Sequence, residues 1–162
     1  MNPIRLSFSK SAPTIDLLPA DTGCEIIFMG YSNVGKSSLI NYISNVAGLA
    51  KCSKTPGRTQ MFNVFDHAPD KRIIDLPGYG FSRVNKPMRL RWKESLQDYL
   101  AHRDCLKGIV LILDVRRSIR PIDADVLEWF EANGLPVFIV LNKADKIPKH
   151  QVNAVQKIVM EA

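Results

Sequence analysis

The sequence is poor in the features that define several large protein classes. Its 162 residues contain three cysteines (Cys24, Cys52 and Cys105) and three histidines, with no CxxC pair and no histidine at ligand spacing. A disulfide framework and a zinc cluster are thereby excluded, and reduced thiols in a cytoplasmic protein are expected. No apolar run approaches the roughly 20 residues that cross a bilayer. The amino terminus lacks the basic-then-apolar layout of a secretory signal. Internal repeats and low-complexity stretches are absent as well. With 46% hydrophobic residues the chain can bury one substantial core, so a single domain is expected. The net charge of +6 is modest but uneven: Arg83, Lys86, Arg89, Arg91 and Lys93 fall together, and Arg116, Arg117 and Arg120 follow. A solvated basic face is one reading of that excess, and an anionic partner such as RNA is the sharper one.

What is present alternates. Continuous apolar runs at 24–30, 108–115 and 135–142 read as buried strands, with further strands at 61–67 and 72–77. Helical spacing marks 37–46, 87–102, 121–133 and 149–162, while 50–60 is rich in Lys, Ser, Thr, Pro and Gly and reads as a loop. Strands alternating with helices imply βαβ units, hence an α/β fold with a mostly parallel sheet and helices on both faces.

Between the first apolar strand and the first helix lies "GYSNVGKSS", residues 30–38. Gly30, Gly35, Lys36 and Ser37 fit G-x-x-x-x-G-K-[ST] in the strand–turn–helix setting its mechanism needs. In such a loop the backbone amides of Tyr31, Ser32, Asn33, Val34 and Ser38 lie within reach of phosphate oxygens, and the helix start adds its positive dipole end. Lys36 would bridge the β- and γ-phosphates, and the Ser37 hydroxyl would ligate Mg²⁺.

"NKAD", residues 142–145, follows an apolar strand and so stands at its carboxyl end. An Asp145 carboxylate can accept from both N1–H and the exocyclic amine of guanine, donors that adenine lacks there. If Asp145 is buried, adenine would leave it unpaired, and sites of that kind reject the wrong ligand by up to roughly 10⁴-fold. Asn142 can bond the guanine edge or brace the phosphate loop, and the Lys143 stem can cover the base. "DLPGYG", residues 75–80, supplies Asp75 to hold Mg²⁺ through water and Gly78, whose amide can meet or lose a γ-phosphate. Thr55 and Thr59 compete for a third position on the ion; Thr59, next to the strand, is favoured.

"GYSNVGKSSLIN", "KTPGRTQ", "DLPGYGF" and "NKADK", in this order, resemble the EngB (YihA/YsxC) family of bacterial TRAFAC-class GTPases over nearly the whole chain. The resemblance implies a three-layer P-loop NTPase fold, GTP and GDP as ligands, Mg²⁺ as cofactor, and a role in assembly of the large ribosomal subunit linked to division and septation. The partner it implies is the large subunit or its rRNA, for a monomer without stable membrane association. Lys36, Thr59 and Gly78 would then serve the hydrolysis. Tyr31 departs from the family, which commonly has Arg there, and the chain stops before the family's final strand and helix. "PVFIVL" is therefore expected to form an apolar sheet edge, covered by helix 149–162 or by another molecule, or else the sequence is an incomplete version of the working protein. Tyr79 stands where many GTPases orient the attacking water with Gln, so slow intrinsic hydrolysis is expected. Resemblance to other Gln-lacking members makes Asn33 a candidate to hold K⁺ near the phosphates.

A small regulatory GTPase with a protein or membrane partner is the alternative reading, but no carboxyl-terminal lipidation cysteine or myristoylation start is present. An RNA-binding module with a decayed nucleotide site is a third, opposed by the presence of Lys36, Ser37, Asp75 and Asp145.

Overall fold

The computed structural model describes residues 3–51, 61–79, 94, 96–117 and 119–161. Six strands, β1 (Ser7–Ala12), β2 (Cys24–Gly30), β3 (Phe62–Ala68), β4 (Lys71–Asp75), β5 (Leu106–Asp114) and β6 (Val137–Asn142), form one sheet in the order β1-β3-β4-β2-β5-β6. The pairs β4–β2, β2–β5 and β5–β6 are parallel, whereas β1–β3 and β3–β4 are antiparallel. The helices are α1 (Lys36–Ser44), α2 (helical at 96–102), α3 (Pro121–Ala132) and α4 (Lys149–Glu161). The α/β class and the helix-covered sheet expected from sequence are thus observed. Strand β1 was not expected.

Alternation along the central strands feeds two cores. Ile27 and Met29 of β2, Ile74 of β4 and Ile109, Leu111 and Leu113 of β5 join Leu96 and Tyr99 of α2 and Phe130 of α3 on one face. On the other face Phe28, Ile73 and Ile112 pack against Ile40 of α1. Strand β2 is therefore buried on both sides, which explains its unbroken apolar run.

At the amino-terminal end of β2 a polar hub replaces apolar packing. Glu25, fully buried, accepts from the Tyr99 hydroxyl at 2.6 Å and pairs with Arg72 Nε at 2.8 Å and with Arg103 Nη2. Arg72 Nη2 donates onward to Ala20 O at 3.0 Å and Arg103 Nη1 to Pro19 O at 3.0 Å, so one carboxylate ties β4, α2 and the segment before β2 together.

Strand β6 lies at the sheet edge, and its Phe138 is 69% exposed. Helix α4 contributes Val159 to the core beside it but has no fully buried residue. Cys24 and Cys105 are free thiols, and Cys52 lies outside the described residues. Among the described residues no helix is long and apolar enough to cross a membrane.

The hub yields a stability prediction. Removing the buried anion in Glu25→Ala leaves Arg72 without a carboxylate and Arg103 with only Asp21, 3.9 Å from its Nε, and should destabilise the fold by about 3–5 kcal/mol, read as a lower midpoint in urea unfolding. A loss below about 1 kcal/mol would show that the hub contributes no more than an exposed pair.

Candidate functional site

The carboxyl ends of the parallel strands gather the sequence-predicted residues at one rim. Cross-strand register sets Phe28 beside Asp75, Gly30 beside Ile112 and Asp114 beside Asn142. From Gly30 the chain turns through residues 31–35 and enters α1 at Lys36. Gly35 is the residue before the helix, with φ of 105°, and Asn33 has φ of 64°. Left-handed residues alternate here as in anion-binding loops, but two of the amides expected to face phosphate are engaged within the protein: Ser32 N–H donates to Tyr79 O at 2.9 Å and Val34 N–H to Tyr31 O at 3.2 Å. A Cβ at Gly35 would lie 2.3 Å from Asn142 Nδ2, so only glycine fits.

That near contact arises because the "NKAD" residues reach back to the loop. Asn142 Nδ2 donates to Val34 O at 2.7 Å, and Lys143 Nζ donates to Asn33 O at 2.6 Å and pairs with Asp114 Oδ2 at 2.9 Å. Of the two roles open to Asn142 in the sequence, bracing the loop is the one the geometry displays. Asp114 also accepts from Arg116 Nε at 2.9 Å and Nη2 at 2.7 Å. The Arg116 hydrogen bond, with Lys143, holds the Asp114 carboxyl well below the usual carboxylate range despite burial. Sequence reasoning missed Asp114, although an acid closing a buried strand at the ligand-binding rim is a usable signal. Arg116, read from sequence as part of a basic excess, is partly spent on this internal pair.

Asp145 departs from expectation. Its carboxylate is 68% exposed and pairs with Lys146 Nζ at 2.7 Å rather than being buried. The physical reason is its place on the turn 144–146, just past the edge strand β6, where the sheet offers no neighbour on the outer side. Lys146 holds the Asp145 carboxyl below its ordinary value.

Lys36 and Asp75 face each other across the loop at 4.0 Å, with side chains only 12% and 5% exposed. Burial lowers the Lys36 ammonium from its ordinary value, opposed by Asp75. Burial likewise pushes the Asp75 carboxyl up to about 6, opposed by Lys36 and a hydrogen bond from Asn63. Asp75 Oδ1 has no hydrogen-bond partner. A buried carboxylate oxygen left without a donor is of the kind a hard divalent cation such as Mg²⁺ takes, and Ser37, half-buried at the start of α1, carries a second such oxygen. Gly78 is buried over the same loop, and a Cβ there would lie 3.0 Å from Ser32 Cα and 3.2 Å from Lys36 Nζ. Tyr31 and Ser32 are half-buried, and Ser38 is exposed on the first turn of α1. Thr55, Thr59 and the basic residues 83–93 lie outside the described residues.

The sheet order and the loop–helix junction define a P-loop GTPase fold. The family of the 50S ribosome-binding GTPase matches residues 25–143. Among curated relatives, the probable GTP-binding protein EngB of Mannheimia succiniciproducens is 44% identical over 162 residues, covering 100% of this chain and 79% of that protein. Its counterpart in Colwellia psychrerythraea is 48% identical over 143 residues, covering 88% of this chain and 64% of that protein. A crystal structure of a probable GTP-binding protein EngB superposes with a TM-score of 0.69 at 28% identity, over 85% of this chain and 79% of that one. Era in complex with MgGDPNP and a 16S ribosomal RNA segment gives 0.62 at 26% identity, over 85% of this chain and 46% of that one. The chain belongs to the EngB family of GTP-binding proteins, within the GTPases.

A metal ion held by Asp75 would compete with protons for it. Burial pushes the carboxyl up to about 6, so below that pH its protonated form gains, and Mg²⁺ affinity read through nucleotide binding should then weaken by up to about tenfold per unit of further acidification. Fluorescent-GDP titrations across Mg²⁺ concentrations at pH 5 to 8 measure this, and Asp75→Asn should abolish the pH dependence. A Mg²⁺ affinity constant over that range would contradict the assignment.

Proposed function

We propose that the rim binds GDP and GTP with Mg²⁺ and that slow GTP hydrolysis drives a molecular switch in assembly of the large ribosomal subunit, with cell division and septation depending on that role. The observation that carries the nucleotide reading is the reach of Asn142 and Lys143 onto Val34 and Asn33, which makes the base-reading turn and the phosphate loop one rigid unit. In this reading the amides of the loop 30–38 other than those of Ser32 and Val34, which donate within the protein, cradle the phosphates, Lys36 offsets their charge, and the Asp145 carboxylate accepts from guanine. Ser37 and Asp75, with Thr59, would hold Mg²⁺, which would supply positive charge against the phosphates. Gly78 senses the terminal phosphate. Asn33, exposed at the loop tip, is the residue to hold K⁺ where a further cation offsets developing charge.

The ribosomal part of the reading draws support from the name of the matching family and from the RNA-bound Era complex. It also fits the cationic run 83–93, which follows the switch glycine directly in sequence and carries Trp92 for stacking. One G domain acting as a cytoplasmic monomer is the working form.

Two experiments test these claims. Asp145→Asn should cut GDP affinity by about tenfold or more and favour xanthosine diphosphate, whose carbonyl can accept from the new amide. Unchanged guanine preference in calorimetry would refute the role of Asp145. Replacing Arg83, Lys86 and Arg89 together with Glu should leave GTP affinity intact while removing GTP-dependent co-sedimentation with large-subunit particles, since phosphate contacts are lost and reversed in sign. Retained co-sedimentation at moderate salt would show that the segment is not the RNA-facing surface.

A further inference from the structure

Asp114 closes β5 directly beside Asn142 and is only 7% exposed. Both of its carboxylate oxygens are filled from within the protein. Oδ1 accepts from Arg116 Nε at 2.9 Å and from Arg116 N at 3.2 Å, and Oδ2 accepts from Arg116 Nη2 at 2.7 Å and from Lys143 Nζ at 2.9 Å. The hydrogen bond from Arg116, aided by Lys143, holds the Asp114 carboxyl well below the usual carboxylate range, so it stays an anion.

The two cations stand differently to it. Arg116 lies two residues on in the same turn, whereas Lys143 comes from the turn after β6, where its backbone is left-handed with φ of 64°. Its ammonium also donates to Asn33 O at 2.6 Å, next to the Val34 carbonyl that accepts from Asn142 Nδ2. A lysine head is strongly hydrated and sits on a flexible stem. Moving it out of water onto a neutral carbonyl is unfavourable without an opposite charge. Asp114 supplies that charge, and the stem direction follows from where the head is held. We propose that Asp114 is a positioning residue for the nucleotide: by fixing the Lys143 ammonium against Asn33 O, it stretches the lysine stem across the base side of the rim and ties the base-reading turn to the phosphate loop. The "NKAD" turn is thus completed by an acid 29 residues upstream. The inference rests on the guanine-nucleotide reading of the rim.

The competing account is that Asp114 only shapes the turn after β5 through Arg116. A double-mutant cycle on the full-length protein separates the two. Asp114→Asn keeps the shape and drops the charge, and Lys143→Met keeps the stem and drops the ammonium. Hydrogen bonds to charged groups shift equilibria by roughly ten- to a hundredfold. Each single variant should therefore bind fluorescent GDP about tenfold more weakly than the wild type. The double variant should lose no more than about a further twofold, because both changes break one contact. Losses that multiply would show that Asp114 acts apart from Lys143 and overturn the proposal, as would wild-type GDP affinity in Asp114→Asn. Should Asp114→Asn fail to fold, Asp114→Glu, which keeps the charge and moves it by one methylene, takes its place in the cycle with a loss of the same direction. A second readout needs no nucleotide: amine acetylation of the free protein should modify Lys143 more slowly than the exposed Lys146, and the Asp114 variant should speed Lys143 alone. Unchanged Lys143 acetylation would overturn the anchor even where GDP binds. Wild-type GDP binding tests the rim and the acetylation tests the anchor, so the two ideas fail separately.

Discussion

The rim depends on one constraint: β2 runs through the middle of the sheet, parallel to β4 on one side and β5 on the other. Because both faces of β2 are buried, its register is fixed by packing, and a slip of one residue would exchange the Ile27/Met29 face with the Phe28 face. That register decides that Gly30 ends the strand where the phosphate loop must begin, and that Asp75 and Asn142 end theirs close by. The polar hub at Glu25 pins the opposite end of β2, so the strand is held by charge at one end and feeds the loop at the other.

Two carboxylates at the rim show how environment divides labour between identical groups. Asp114 is satisfied by Arg116 and Lys143 and remains an anion well below the usual carboxylate range; it is a brace. Asp75 is buried with a single cation at 4.0 Å and an unpartnered oxygen, and its carboxyl is pushed up to about 6. An under-satisfied buried acid is poor structural material but a suitable metal ligand, because a divalent ion supplies what the protein withholds. The same contrast separates Asp123, used to hold Tyr79, from Asp145, exposed on a turn beyond the edge strand.

The strands most legible in the sequence were those buried on both faces, 24–30 and 108–115 above all, since short continuous apolar runs bounded by turn residues suit a buried strand better than a helix. Strand β1 was illegible for the opposite reason. Its residues "SFSKSA" are exposed except for Ala12, so no period appears, and its place comes from backbone pairing with β3. Spacing within the chain located Lys36, Ser37, Asp75 and Asn142. It left open whether Asn142 braces the loop or bonds the base, and could not say that Asp114 anchors Lys143 or that Tyr79 is tied to Asp123, because those pairs are 108, 29 and 44 residues apart. Such contacts are products of the tertiary fold. The exposure of Asp145 likewise followed from where the turn sits relative to the sheet edge, which its own sequence does not encode.

The central claim is that phosphate loop and base-reading turn form one guanine-nucleotide site. Parallel calorimetric titrations of the wild-type protein with GDP and ADP in Mg²⁺ test it most directly. The account predicts saturable GDP binding with ADP weaker by about tenfold or more, the share that hydrogen bonds to an exposed carboxylate can supply. Comparable affinities for the two diphosphates would contradict it.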